Sequence, residues 1–69
     1  MENKEFLSQM GKRIRAARLE RNVTLVMMSK NVGLNTSNLS FMENGKTDAH
    51  VLTLKRIADA LEMEVKDFL

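Results

Sequence analysis

The stretch of sequence that decides the fold is residues 24–44, TLVMMSKNVGLNTSNLSFMEN. Thr24 offers a hydroxyl that can cap the N-terminus of a short helix, predicted over residues 25–31. Gly33 ends that helix, because the residue after a helix often takes a left-handed conformation that glycine adopts without strain. Asn35 is the next capping residue and begins a further short helix, predicted over residues 36–44. The pattern therefore predicts two short helices joined by a sharp, glycine-containing turn.

The rest of the chain also has helical periodicity. A helix is predicted over residues 4–21, another over residues 51–61, and a short one begins within residues 65–69. The apolar residues expected to face one core recur at helical spacing: Leu7, Met10, Ile14, Ala17, Met28, Val32, Leu39, Met42, Leu54, Ile57, Ala58 and Leu61. No stretch alternates as a strand would. The predicted fold class is all-α, with five helices in a compact arrangement.

The composition is that of one small globular domain. With 69 residues, 43% of them hydrophobic and 29% charged, the chain is long enough for one core only, so residues 1–69 are expected to form a single domain. The absence of cysteine excludes disulfides and thiolate metal sites and suits a reducing cytosol. The first five residues lack the basic-then-apolar layout of a signal peptide, and no apolar run approaches a membrane span. A cytoplasmic location is therefore expected.

The net charge of +2 is the sum of a basic N-terminal part and an acidic C-terminal part of the chain. Residues 1–46 carry eight basic and four acidic side chains, whereas residues 47–69 carry three basic and five acidic ones. A basic half suits a polyanionic partner. Ordinary solvated helix faces account for the asymmetry nearly as well, so charge alone does not choose between them.

Two short helices joined by such a turn, the second with a polar outer face, form the geometry that presents side chains to the major groove of DNA. Residues 12–69 resemble the Cro and phage-repressor type of helix-turn-helix domain, which is lambda-repressor-like and belongs with the xenobiotic-response-element family of bacterial regulators. The matching residues are Ile14, Arg18, Thr24, Met28, Ser29, Gly33, Leu39, Met42, Glu43, Gly45, Ile57, Ala58, Leu61 and Leu69. The run from Glu43 to Lys46 is the most specific part.

The resemblance implies a function. A domain of this kind, with its helix-turn-helix at about residues 24–44, is expected to bind double-stranded DNA sequence-specifically and to regulate transcription. It is expected to act as a homodimer on a palindromic operator, with repression as the favoured sign. The alternative function is a protein-interaction module of the same fold, antitoxin-like or regulator-binding.

The resemblance also assigns roles to residues. Arg18 and Glu43 are expected to form a largely buried ion pair that is structural. The outward residues near the start of the third helix enter the groove, which makes Thr36, Ser37 and Asn38 the expected base contacts. The expected phosphate contacts are Thr24, the amide of Leu25, Asn44, Lys46, Lys30 and Arg13. For Lys30 and Arg13, a solvated surface charge is an equally good interpretation. Dimer contacts are expected from Val65, Phe68 and Leu69, whose other interpretation is capping of the core.

The sequence departs from the family pattern at its DNA-facing surface. The family usually has a glutamine and two acids where this chain has Leu25, Val26 and Met27, and often a polar residue in place of Phe41. One hypothesis is that Leu25 and Phe41 pack on each other and that Phe41 also contacts a thymine methyl group. A second is that these four apolar side chains form an exposed patch for a protein partner. A third is that dimerisation or rotation of the second helix buries them.

No pattern in the sequence indicates catalysis. His50 has no cysteine or second histidine near it to complete a metal site, so a helix-start or surface role is expected. The serines near the helix-turn-helix have no paired base. The chain is therefore expected to be no enzyme and to bind no metal or cofactor.

Overall fold

The structure, a computed structural model, describes residues 3–69. Met1 and Glu2 belong to the N-terminal segment and to the domain predicted over residues 1–69, and they lie outside the described residues. The four α-helices are α1 Asn3–Glu20, α2 Leu25–Val32, α3 Thr36–Glu43 and α4 Val51–Ala60. No strand occurs in the described part of the chain. The all-α helix-turn-helix fold predicted from the sequence is confirmed, with helix ends that differ from the prediction by one residue.

The predicted fifth α-helix is wrong in type. Val65–Phe68 form a single 3₁₀ turn instead. The Glu64 backbone N–H donates to Asp67 Oδ2 at 3.0 Å, which closes this turn locally. A segment of four residues forms too few hydrogen bonds to offset the cost of nucleating an α-helix. It therefore adopts the tighter 3₁₀ turn.

The two helices of the central motif are capped as their sequences predict. Thr24 Oγ1 accepts a hydrogen bond from the Met27 backbone N–H at 3.1 Å, and Asn35 Oδ1 accepts one from the Asn38 N–H at 2.8 Å. Gly33 ends α2 in the left-handed conformation, with φ at 75°. These local bonds determine where each helix starts and where the turn bends.

The core gathers one stripe of apolar side chains from each helix. Its buried members are Met10, Ile14, Ala17, Met28, Val32, Leu39, Met42, Leu54, Ile57, Ala58, Leu61 and Phe68. Eleven of these twelve were predicted from helical spacing alone; Phe68 is the addition. Leu7, the remaining predicted residue, is half-buried and packs against the same cluster.

Helices α1 and α3 approach each other so closely that their backbones are in contact. A Cβ atom added to Gly11 would lie 2.3 Å from the Met42 carbonyl oxygen and 2.5 Å from that of Glu43. A Cβ atom added to Gly45, in the turn after α3, would lie 2.6 Å from Ser8 Cα. Two glycines therefore allow the C-terminal end of α3 to rest directly on α1, which fixes the position of α3 in the molecule.

No helix within residues 3–69 is long and apolar enough to span a membrane.

Candidate nucleic-acid interface

The outer face of α3 is exposed except at Ser40, which is half-buried. Leu39, Met42 and Glu43 face inward, whereas Thr36, Ser37, Asn38 and Phe41 are exposed. Because successive helical residues turn by about 100° around the axis, Ser37, Phe41 and Asn44 fall on one line opposite the buried residues. The four predicted base-contact residues thus lie on the accessible side of the helix, with the short polar ones at its N-terminal end.

Ser40 lies on the same face and was not predicted to take part. It follows Ser37 by three residues, and its Oγ is 3.4 Å from Asn44 Nδ2. Spacing along the helix was the signal that could have identified it, since residues three and four apart share a face. The outer face of α3 is therefore polar except at Phe41.

A buried ion pair joins α1 to the end of α3. Arg18 Nε donates to Glu43 Oε2 at 2.7 Å and Arg18 Nη2 donates to Glu43 Oε1 at 2.9 Å, a bidentate arrangement. Arg18 Nη1 also donates to the Val23 carbonyl at 2.9 Å. The hydrogen bonds with Glu43 raise the pKa of the Arg18 guanidinium above its already high ordinary value, against the opposing effect of burial. The structure thus brings together the two residues assigned to a structural role.

The N-terminus of α2 offers several hydrogen-bond donors at the surface. Thr24 Oγ1 accepts from Met27, which leaves the Thr24 hydroxyl hydrogen available for another partner. The Leu25 and Val26 amides belong to the first turn, whose N–H groups have no acceptor within the helix. The first turn of α2 contains no acidic side chain that would repel an anion. This end of α2 is suited to a phosphate group.

The other predicted phosphate contacts near α3 differ in exposure and in the hydrogen bonds that they already make. Lys46 is exposed just after the C-terminal end of α3, and Lys30 is exposed in the last turn of α2. The Asn44 side chain folds back, with Nδ2 donating to the Ser40 carbonyl at 2.9 Å. Because Nδ2 also donates to Ser40 Oγ at 3.4 Å, Asn44 caps α3 through its side-chain amide.

Arg13 is placed on the wrong side for the predicted phosphate contact. Its Nη1 donates to the Leu69 carbonyl at 2.9 Å, next to the terminal 3₁₀ turn. In α1, Arg13 lies about 160° around the helix axis from Gly11, which faces α3. The arginine therefore points away from the helix-turn-helix, and its structural contact corrects the prediction.

The apolar residues at which the sequence departs from the family pattern are exposed to different degrees. Val26, Met27 and Phe41 are 55%, 48% and 50% exposed, whereas Leu25 is half-buried against the core. Leu25 lines a surface groove with Leu19 and Val23.

Phe41 lines a different groove, together with Leu34 and Asn38. The predicted packing of Leu25 on Phe41 therefore gains no support. Of the four apolar side chains, Val26, Met27 and Phe41 keep about half of their surface accessible.

The residues predicted at a dimer interface also differ in their burial. Phe68 is completely buried in the core of one chain, so its side chain cannot reach a second copy, and the prediction is wrong for it. Val65 is half-buried and packs against the core. Leu69 is 55% exposed and lines a groove with Phe6, which is 41% exposed. Capping of the core, the other interpretation of this segment, accounts for Phe68.

His50 occupies the N-cap position of α4 without a side-chain capping bond. Within the described residues, no group of three or more His, Cys, Asp or Glu side chains is arranged to hold a metal ion.

Comparisons with known proteins bear on this geometry. The profile of the helix-turn-helix family matches residues 14–68. Three solved structures share the fold. The restriction-modification controller protein C.AhdI from Aeromonas hydrophila has a TM-score of 0.87 at 22% identity, covering 91% of this chain and 96% of that chain. The clp gene regulator ClgR from Corynebacterium glutamicum has a TM-score of 0.88 at 24% identity, covering 91% of this chain and 67% of that chain. The DNA-binding domain of BldD has a TM-score of 0.85 at 22% identity, covering 100% of this chain and 99% of that chain.

No curated protein matches the chain. The family profile covers well over half of the sequence, including the capped helices, the turn and the buried ion pair described above. The resemblance to helix-turn-helix domains of the Cro and phage-repressor type is thereby confirmed, and the chain belongs to the helix-turn-helix family.

Proposed function

We propose that this protein binds double-stranded DNA sequence-specifically and regulates transcription, with residues 1–69 acting as one domain. The observation that carries the proposal is the exposed outer face of α3, held rigidly by the Arg18–Glu43 pair and by the close contact of Gly11 with the α3 backbone. A helix of this width fits the major groove, where base edges are distinguishable. Membership of the helix-turn-helix family supports the same conclusion.

In this proposal the polar N-terminal part of α3 reads bases and its surroundings bind the backbone. Thr36 and Ser37 donate to or accept from base edges, and Asn38 pairs with adenine through its amide. Phe41, further along the same side, contacts a thymine methyl group. Phosphates are bound by Thr24 with the Leu25 amide, and by Lys30, Asn44 and Lys46.

Homodimerisation on a palindromic operator, with repression as the outcome, extends the proposal. The exposed side chains of Phe6 and Leu69 border one groove between α1 and α4, and contiguous exposed apolar surface marks interaction sites. Two copies related by a two-fold axis read two half-sites of opposite orientation. Occupancy of such a site blocks access of the transcription machinery. The cytoplasm, where DNA is accessible, is the proposed location.

The test is selection of bound duplexes from a random pool, followed by affinity measurements on the selected site at several salt concentrations. We expect a palindromic consensus and a steep loss of affinity as salt rises, because each phosphate contact releases condensed counterions. A scrambled duplex serves as the control for sequence specificity. Failure to bind any duplex at low salt would refute the proposal.

A second function is favoured by one observation, the exposure of Val26, Met27 and Phe41. In this alternative the three side chains bind a protein partner, and methionine adapts readily to varied surfaces. Salt distinguishes the two functions, since an apolar protein contact responds weakly to salt whereas duplex binding responds strongly. A partner complex that survives high salt, together with absent duplex binding, would favour this second function.

A further inference from the structure

A groove crosses the surface where the first half of α1 meets the turn that follows α3. It encloses about 560 Å³ and is lined by Lys4, Leu7, Ser8, Asn44, Gly45 and Lys46. Two of its walls come from segments more than thirty residues apart in sequence. We propose that this groove binds a DNA backbone phosphate, with Lys4 and Ser8 of α1 completing the contact made by Lys46 and Asn44. The inference rests on the proposed DNA-binding function.

The geometry of the groove is fixed by backbone packing. After α3, the Gly45 N–H donates to the Met42 carbonyl at 3.1 Å and the Lys46 N–H donates to the Phe41 carbonyl at 2.9 Å. This pair of bonds holds Gly45 at φ 69°, in contact with the backbone at Ser8. Lys4 and Lys46 therefore line one groove from its two sides, Lys4 from α1 and Lys46 from the turn after α3.

The charge of the groove favours an anion. Lys4 lies in the first turn of α1, at the positive end of the helix dipole. Lys12 lines the adjoining groove with Lys4 and Ser8, and Glu5 is the one acid among those lining residues. Among residues 3–69, ion pairs join Arg18 to Glu43, Lys55 to Asp59 and Lys66 to Glu64, and none of them involves the lysines of the groove.

At the C-terminal end of α3, where backbone carbonyls would repel a phosphate, three of these carbonyls already accept hydrogen bonds. The Phe41 and Met42 carbonyls accept from the turn that follows the helix, and the Ser40 carbonyl accepts from both the Asn44 backbone N–H and its Nδ2. The groove therefore presents ammonium and hydroxyl donors to a bound group. It adjoins the C-terminal end of α3, so a phosphate bound there belongs to the same DNA segment that α3 reads.

Lys4 and Ser8 lie before residue 14, where the match to the helix-turn-helix family begins. The family profile therefore assigns no role to either residue. Sequence reasoning missed both residues, because nothing in their spacing indicates that they lie beside Lys46.

The experiment compares the wild-type chain with Lys4→Gln and with Lys66→Gln, an exposed lysine in the terminal turn, as the matched control. We expect Lys4→Gln to weaken duplex binding by roughly threefold to tenfold at moderate salt, equally for selected and scrambled duplexes, and to reduce the slope of log K against log salt by about 1. Lys66→Gln is expected to leave both quantities unchanged. Unchanged helical circular dichroism would show that Lys4→Gln folds normally.

A second measurement separates a DNA phosphate from a free anion. The backbone amide resonances of Ser8, Gly45 and Lys46 are followed during titration with duplex and, separately, with inorganic phosphate at the same phosphate concentration. Shifts that occur with duplex and are lost in Lys4→Gln support the proposal. If Lys4→Gln has the same salt slope as the wild-type chain, the phosphate proposal is overturned and the proposed function is left intact. The same holds if inorganic phosphate produces shifts equal to those produced by duplex. A wild-type chain that binds no duplex overturns both.

Discussion

Arg18 and Glu43 show how a charged pair can be tolerated in so small a core. Their side chains are only 8% and 5% exposed, so each ion has lost most of its hydration. The bidentate hydrogen bonds and the third bond from Arg18 to the Val23 carbonyl replace that hydration. The pair links three segments, α1, the loop after it and α3, and thereby orients the proposed recognition helix.

Removing one member of this pair should be far more damaging than replacing both. We expect Glu43→Ala to lower the free energy of unfolding by roughly 3–5 kcal/mol, because Arg18 is left charged and buried without a counter-ion. The double change Arg18→Met with Glu43→Leu should recover most of that loss, since two apolar side chains of similar size need no hydration. Urea denaturation of the three proteins measures this. If the single and double variants were equally unstable, the pair would not be the cause.

Phe41 carries the one apolar contribution to the outer face of α3. On the DNA-binding proposal, Phe41→Ala should reduce discrimination at a thymine position by about 1 kcal/mol, the order of burying one methyl group. Leu52→Ala, at an exposed position of α4, is the control and should leave base preference unaltered. Affinities for operator variants with and without the thymine methyl provide the readout. Unchanged preference in Phe41→Ala would assign the side chain to a partner surface instead.

At the scale of the elements, backbone contact between helices matters as much as side-chain packing. Gly11 lies in the middle of α1, where alanine would ordinarily be preferred by about 1 kcal/mol. Glycine occupies that position because the α3 backbone leaves no space for a methyl group. The first and third helices are therefore positioned by two close contacts, at Gly11 and Gly45, in addition to the ion pair.

Gly11→Ala should consequently destabilise the fold, although alanine has a higher helix propensity than glycine. We expect a loss of roughly 1–3 kcal/mol, because the nearest atoms are carbonyl oxygens of the backbone and cannot move aside as a flexible side chain would. Gln9→Ala, at an exposed position of the same helix, should change stability very little. Thermal unfolding followed by circular dichroism compares the two variants. A more stable Gly11→Ala protein would show that the helices are further apart than described.

At the scale of the whole molecule, a chain of 69 residues has little surface to bury alone. If it forms the proposed homodimer, the midpoint of thermal unfolding should rise between about 1 and about 100 μM protein, because association stabilises the folded state by mass action. Leu69→Ser should reduce that dependence, whereas Leu19→Ser, exposed on another groove, should not. Sedimentation at both concentrations gives the mass directly. A monomer whose unfolding is independent of concentration would contradict the dimer.

Some features were determined by the sequence alone because their causes are local. The caps at Thr24 and Asn35, the left-handed Gly33 and the apolar spacing within each helix act over a few residues. Helix positions, core composition and the exposed face of α3 could therefore be predicted. The fifth helix could not, since the choice between an α-helix and one 3₁₀ turn at residues 65–68 depends on a small balance of local bonds.

Other features were decided only by the tertiary structure, because they depend on which distant segments meet. Burial of Phe68 removes it from any dimer surface, and the bond from Arg13 to the Leu69 carbonyl turns that arginine away from α3. The groove between Lys4 and Lys46 likewise exists only because Gly45 rests on α1. The periodicity of a helix indicates which residues share its face, but the neighbour of that face is chosen by packing across the whole chain.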